Sequence, residues 1–183
     1  MTPTSDQRAV LDFWFDEIEP AQWWKSDPAF DALVRARFGD LHRAAVLGEL
    51  YAWRAEANGR LAEILVLDQF SRNICRGTSA AFAADPMALA LAQEAVAGGY
   101  DQALPTQRRL FFYLPYMHSE SALIHEVALS LFRDPGLADN LDFELRHKAI
   151  IDRFGRYPHR NAVLGRVSTP EEVRFLEEPG SSF

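Results

Sequence analysis

Helix punctuation sets the tightest limit on what this chain can become. Asp27-Pro28 and Asp85-Pro86 each place an amide-capping acid before a proline, which has no N–H to lose in a first helical turn. Thr169-Pro170-Glu171-Glu172 goes further and spells a capping box, with Thr at the N-cap and Glu three residues on. Gly48, Gly98-Gly99 and Gly155 stand where helices stop, since glycine takes the left-handed conformation without a Cβ penalty. Apolar residues between these marks recur at helical spacing: Val10, Leu11, Trp14 and Ile18, then Phe30, Leu33, Val34, Leu41 and Ala45. No alternating strand pattern survives. The expectation is an all-α fold of about eight to ten helices joined by short loops, with residues 1–183 forming one domain.

In chain order, the first helix spans roughly Asp6 to Phe15. The pair Trp23-Trp24 follows in a loop, where it plugs a core edge or walls a pocket. Asn58-Gly59 leads into a helix carrying Leu61, Ile64, Leu65, Val66 and Leu67, which ends in the polar run Asp68 to Gly77. An alanine-rich helix from Met87 to Ala97 suggests close helix contact. The helix begun near Thr106 is expected to break at Pro115. The next enters after Tyr116-Met117-His118-Ser119-Glu120. Asp139-Asn140 opens a helix whose apolar stripe reads Phe143, His147, Ile150 and Phe154, capped by Gly155.

Charge singles out the end of that helix. Arg146 to Arg166 holds six Lys/Arg and two His against one acid, Asp152, in a chain of formal charge −7. An acidic balance argues against a general nucleic-acid or anionic-membrane binder. Cys75 is the one cysteine, which excludes an intrachain disulfide and a four-cysteine zinc site. The N-terminus lacks a basic region followed by an apolar one, and no apolar run reaches the ~20 residues of a membrane span. A cytoplasmic protein is expected, with oligomeric state left open.

Several segments together carry a likeness: Val10 to Phe15, Leu67-Asp68-Gln69-Phe70, Arg72-Asn73, Phe82 to Pro86, His118-Ser119-Glu120, Arg153 to Arg166, and Ser168 to Glu172. With these the chain resembles a bacterial domain-of-unknown-function family, number nine hundred and twenty-four, over nearly its full length. The resemblance implies a tetratricopeptide-like superhelix and no established activity. The chain departs from the family at Ser71, where proline is usual, and at Cys75, where an apolar residue is usual.

Four chemistries are open to these residues. Asp68, Gln69, Arg72, Asn73 and Arg76, together with Arg153, Arg156, His159, Arg160, Asn161 and Arg166, compose a candidate site for a small anionic ligand. Guanidinium forks bind carboxylate or phosphate bidentately. The competing structural reading pairs the same arginines with Asp68, Asp85, Glu120 and helix-end carbonyls. His118 and His159 are the candidates for acid–base catalysis. A metal site from His118, Glu120, His147 and His159 lacks any recognised ligand spacing, so no metal is expected. With no glycine-rich phosphate loop, no cofactor is expected either. A peptide or protein partner on a helical groove is the alternative.

Overall fold

The computed structural model describes residues 5–182, and these are all-α, with no strand among them. The chain divides into two compact units, Met1–Arg76 with Ala80–Pro115, and Gly77–Ser79 with Tyr116–Phe183.

The first unit contains α1 (Ser5–Asp12), α2 (Pro28–Val46), α3 (Ala57–Leu65), α4 (Ser71–Ile74) and α5 (Asp85–Ala97). Asp27 caps α2 as its sequence requires, accepting from the amides of Ala29 at 2.9 Å and Phe30 at 3.3 Å. Two helices carry a turn of π-helix, Phe13–Glu17 after α1 and Val66–Phe70 between α3 and α4. Aromatic rings fill the core. Phe38 lies 5.0 Å from Phe13 and 4.9 Å from Phe70, and Trp14 lies 5.5 Å from Phe70. Of the tryptophan pair, Trp23 belongs to this core edge. Its ring sits 5.0 Å from Phe111, and its indole N–H donates to the Trp14 carbonyl at 2.9 Å. Trp24 stays exposed.

Local expectations fail here for identifiable reasons. Asn58-Gly59 is inside the first turn of α3 rather than before it. A Cβ on Gly59 would meet the Trp53 carbonyl oxygen at 2.0 Å, so the glycine serves a close backbone approach. Asp85 does not cap from outside its helix. It lies within the first turn of α5, and its carboxylate takes both ends of the Arg72 guanidinium at 3.0 and 3.1 Å. Leu33 is half exposed, whereas Phe38 turns inward. The helix α6 (Thr106–Met117) runs through Pro115 instead of ending there. Burial of Leu110 to Leu114, Tyr116 and Met117 outweighs the one backbone bond that proline removes.

The second unit is built on α7 (Ala122–Leu131), α8 (Ala138–Phe154) and α9 (Pro170–Leu176). Gly155 ends α8 at φ +67°, in the left-handed region. The capping box of α9 is complete: the Thr169 hydroxyl accepts from the Glu172 amide at 3.2 Å, and Glu172 accepts from the Thr169 amide at 2.7 Å. Ile150, Ile151, Tyr157 and Phe175 pack together, with Phe154 against them. Of the expected stripe on α8, His147 and Ile150 face inward and Phe154 packs against the core, but Phe143 is half exposed beneath the Arg146 guanidinium, and Glu144 and Ile151 are buried with the stripe.

Candidate functional site

Of the residues singled out from sequence, Asp68, Gln69, Arg72, Asn73 and Arg76 fall in the first unit, where they form two linked groups. The π-turn buries Asp68 and Gln69, and the Gln69 amide donates to the Asp68 carboxylate at 2.6 Å. Arg72 lies 3.1 Å from the same carboxylate and forks onto Asp85. Asn73 and Arg76 both reach back to Asp31 on α2, at 2.8 and 2.5 Å. Burial would raise the Asp31 pKa, but the Arg76 guanidinium and the Asn73 amide outweigh it and hold the carboxyl below its ordinary value. The cations here also serve the helix end. Arg72 donates to the Asp68 carbonyl at 2.7 Å, and Arg35 donates to that of Ile74.

Beside them, His42 and the fully buried Ser71 are 2.8 Å apart. This pair resembles a nucleophile and its base. The Ser71 hydroxyl, however, gives its hydrogen to the Leu67 carbonyl at 2.6 Å. It therefore accepts from the imidazole, whose pKa burial pushes down. The first unit also has an open groove of about 410 Å³ lined by Ile18, Gln22, Phe30 and Leu33 among others. None of the sequence-predicted site residues lines it.

Arg153, Arg156, His159, Arg160, Asn161 and Arg166 fall in the second unit, as does His118. Arg153, Arg156 and Arg166 each bond a carboxylate. Arg153 donates to Glu171 at 2.9 Å. Arg156 forks onto Glu172 at 2.6 and 2.8 Å, a bond that helps depress the Glu172 pKa to about 2. Arg166 forks onto Glu120 at 2.5 and 2.9 Å. Burial would raise the Glu120 pKa, but the Arg166 fork and the Tyr157 amide at 2.7 Å hold it below its ordinary value. Asn161 is buried and donates to Ser168 at 3.0 Å.

Arg160, which lies near enough to Glu120 to help lower its pKa, packs with the histidines around the fully buried Tyr157. The Arg160 guanidinium stacks 4.5 Å from the centre of the tyrosine ring. The rings of His159, His147 and His125 lie 5.5, 5.7 and 6.3 Å from it. The phenol donates to the Met117 carbonyl at 2.6 Å, which fixes the start of the turn that bears His118. His147 donates through Nδ1 to the Phe143 carbonyl at 2.7 Å. A carbonyl can only accept, so this bond sets the tautomer and leaves the lone pair on Nε2. Burial first, then the neighbouring His118, His125 and His159, push the His147 pKa down to about 3. Four of the five histidines thus gather in one place. Among the described residues no three His, Cys, Asp or Glu side chains form a group that could hold a metal.

The tyrosine centre, His125 and Glu144 were absent from the sequence-derived site. Tyr157 stands inside the basic run, but a search for charged groups passes over it. His125 and Glu144 carry no motif, and only their folding onto each other reveals them.

The fold places the described residues in the all-α class. The chain belongs to the family described as "Bacterial protein of unknown function (DUF924)", which matches residues 10–180. It is similar to the solved structure of the protein of unknown function ATU0120 from Agrobacterium tumefaciens, at 42% identity and TM-score 0.89. That likeness covers 93% of this chain and 96% of the other. No curated protein matches the chain. No helix among the described residues is long and apolar enough to cross a membrane.

Proposed function

We propose that the second unit binds a small carboxylate or phosphate at the cluster of Arg160, His159, His118 and His147 around Tyr157. One observation carries the reading: the Arg160 guanidinium and the rings of His159 and His147 all lie against Tyr157, at 4.5, 5.5 and 5.7 Å, with His118 near enough to His147 to help lower its pKa. Imidazoles packed this closely repel one another when protonated, so an anion among them stabilises their charged forms. Arg160 supplies permanent charge, and His118 and His159 supply ring N–H donors. His118 and His159 are also the groups able to carry a proton to or from the bound molecule.

The test is calorimetric titration with inorganic sulfate, whose charge is constant between pH 6 and 8, alongside phosphate. Sulfate should bind about tenfold more tightly at pH 6 than at pH 8, because each unit of linked histidine titration is worth about 1.4 kcal/mol. Arg160→Ala should abolish that binding while the protein stays folded. No binding of either anion at millimolar concentration would refute the reading.

A further inference from the structure

The second unit contains a fully buried acid and imidazole that the proposed binding does not use. Glu144 on α8 and His125 on α7 are both 0% exposed, with Oε1 and Nδ1 only 2.6 Å apart. The other carboxylate oxygen, Oε2, is buried without a hydrogen-bond partner. On its far side the His125 ring reaches the turn that bears His118. Nε2 lies 2.9 Å from the Ser119 carbonyl and 3.2 Å from the Tyr157 hydroxyl. The protons can be assigned from these partners. The Ser119 carbonyl only accepts, and the Tyr157 hydroxyl spends its hydrogen on Met117, so Nε2 carries a proton and donates. Nδ1 and Glu144 then share one proton between them. Burial outweighs the His125 hydrogen bond and raises the Glu144 pKa. The pair is then neutral overall, as a water-free site demands.

Two side chains therefore hold the backbone on either side of His118: Tyr157 through the Met117 carbonyl and His125 through the Ser119 carbonyl. Glu144 in turn fixes the tautomer and orientation of His125. A structure concerned only with stability would fill this space with apolar side chains, because a buried polar pair seldom exceeds well-packed hydrocarbon in stability.

We propose that Glu144 and His125 are a positioning pair that fixes the Met117–Ser121 turn and so sets where His118 stands in the anion site. The inference rests on the anion-site reading for its purpose, but its geometry can be tested without any ligand. The decisive protein is the full chain carrying His125→Leu with Glu144→Leu, which removes both polar side chains together and leaves no unpaired buried charge, only the Ser119 carbonyl without its side-chain donor. Its thermal midpoint should stay close to that of the wild type. The Ser119 amide, which donates to the Tyr116 carbonyl at 3.2 Å, should exchange with deuterium about tenfold faster, while the amides of Ile150 and Ile151 keep their wild-type rates. Sulfate affinity should fall about fivefold through the displaced His118. Unchanged Ser119 exchange in the folded double variant would overturn the proposal.

Should that protein fail to fold, two single variants decide the question. Glu144→Gln keeps a donor to Nδ1, so its Ser119 exchange should match the wild type. His125→Gln can span only one of the two partners, so its exchange should rise. Equal exchange in the two would overturn the proposal. A wild type that binds no sulfate would instead remove the anion site, and the exchange comparison would still report on the pair.

Discussion

Replacing His147 with phenylalanine should make the protein markedly less sensitive to acid. His147 has a folded pKa of about 3, against about 6.5 for an exposed imidazole in the unfolded chain. Between those values the unfolded chain binds a proton that the folded protein refuses, so falling pH favours unfolding. The stability at stake is intact above pH 6.5 and is lost progressively as pH drops towards 3. Linkage gives the size: moving from pH 7 to pH 4 costs about 3 kcal/mol at this one ring. Set against a typical total of about 5–15 kcal/mol, that is a large fraction. Phenylalanine keeps a planar ring facing Tyr157 and removes the titration. The Phe143 carbonyl loses a side-chain donor but keeps its place in the helix. The assay is urea unfolding of both chains at pH 7, 5.5 and 4. The wild type should lose about 3 kcal/mol more than the variant over that span, since their carboxylates titrate alike. Parallel stability curves would refute the reasoning. So would a His147 ring resonance that titrates near pH 6.5 in the folded protein.

Two further perturbations probe the framework around the site. Gly59→Ala should destabilise the fold by about 3 kcal/mol, because the new Cβ would fall on the backbone oxygen of Trp53, which cannot swing aside; a thermal melt checks it. Thr169→Ala should cost about 1 kcal/mol by leaving the Glu172 amide without its cap, read from denaturant midpoints.

The all-α class was legible because its signals are local. Asp27, Thr169 with Glu172, and Gly155 each act within a few residues, and each acts in the structure as its chemistry predicts. The partners of the charged groups were legible only in part. Asp85 and Glu120 could be named as acids for arginines to find. Asp31 could not, because an acid in the first turn of a helix reads as a partner of the helix dipole, and nothing local marks its bonds to Asn73 and Arg76. The rule that acids face water misassigned α8. Glu144 turns inward because His125 waits there on another helix, and it takes the buried place expected for Phe143 while His147 and Ile150 keep theirs. The two π-turns left no mark in composition, since a widened turn uses the same residues as an ordinary one.

The π-turn at Val66–Phe70 gives the segment a phase that matters downstream. It accommodates a surplus residue in an otherwise regular helix, so losing one residue there would leave a helix still able to form. Everything beyond it would then rotate by about 100° about the axis. Arg72 would swing away from Asp85, and Asn73 from Asp31. The spacing between Leu65 and Ser71 therefore matters as much as the identity of the residues that occupy it.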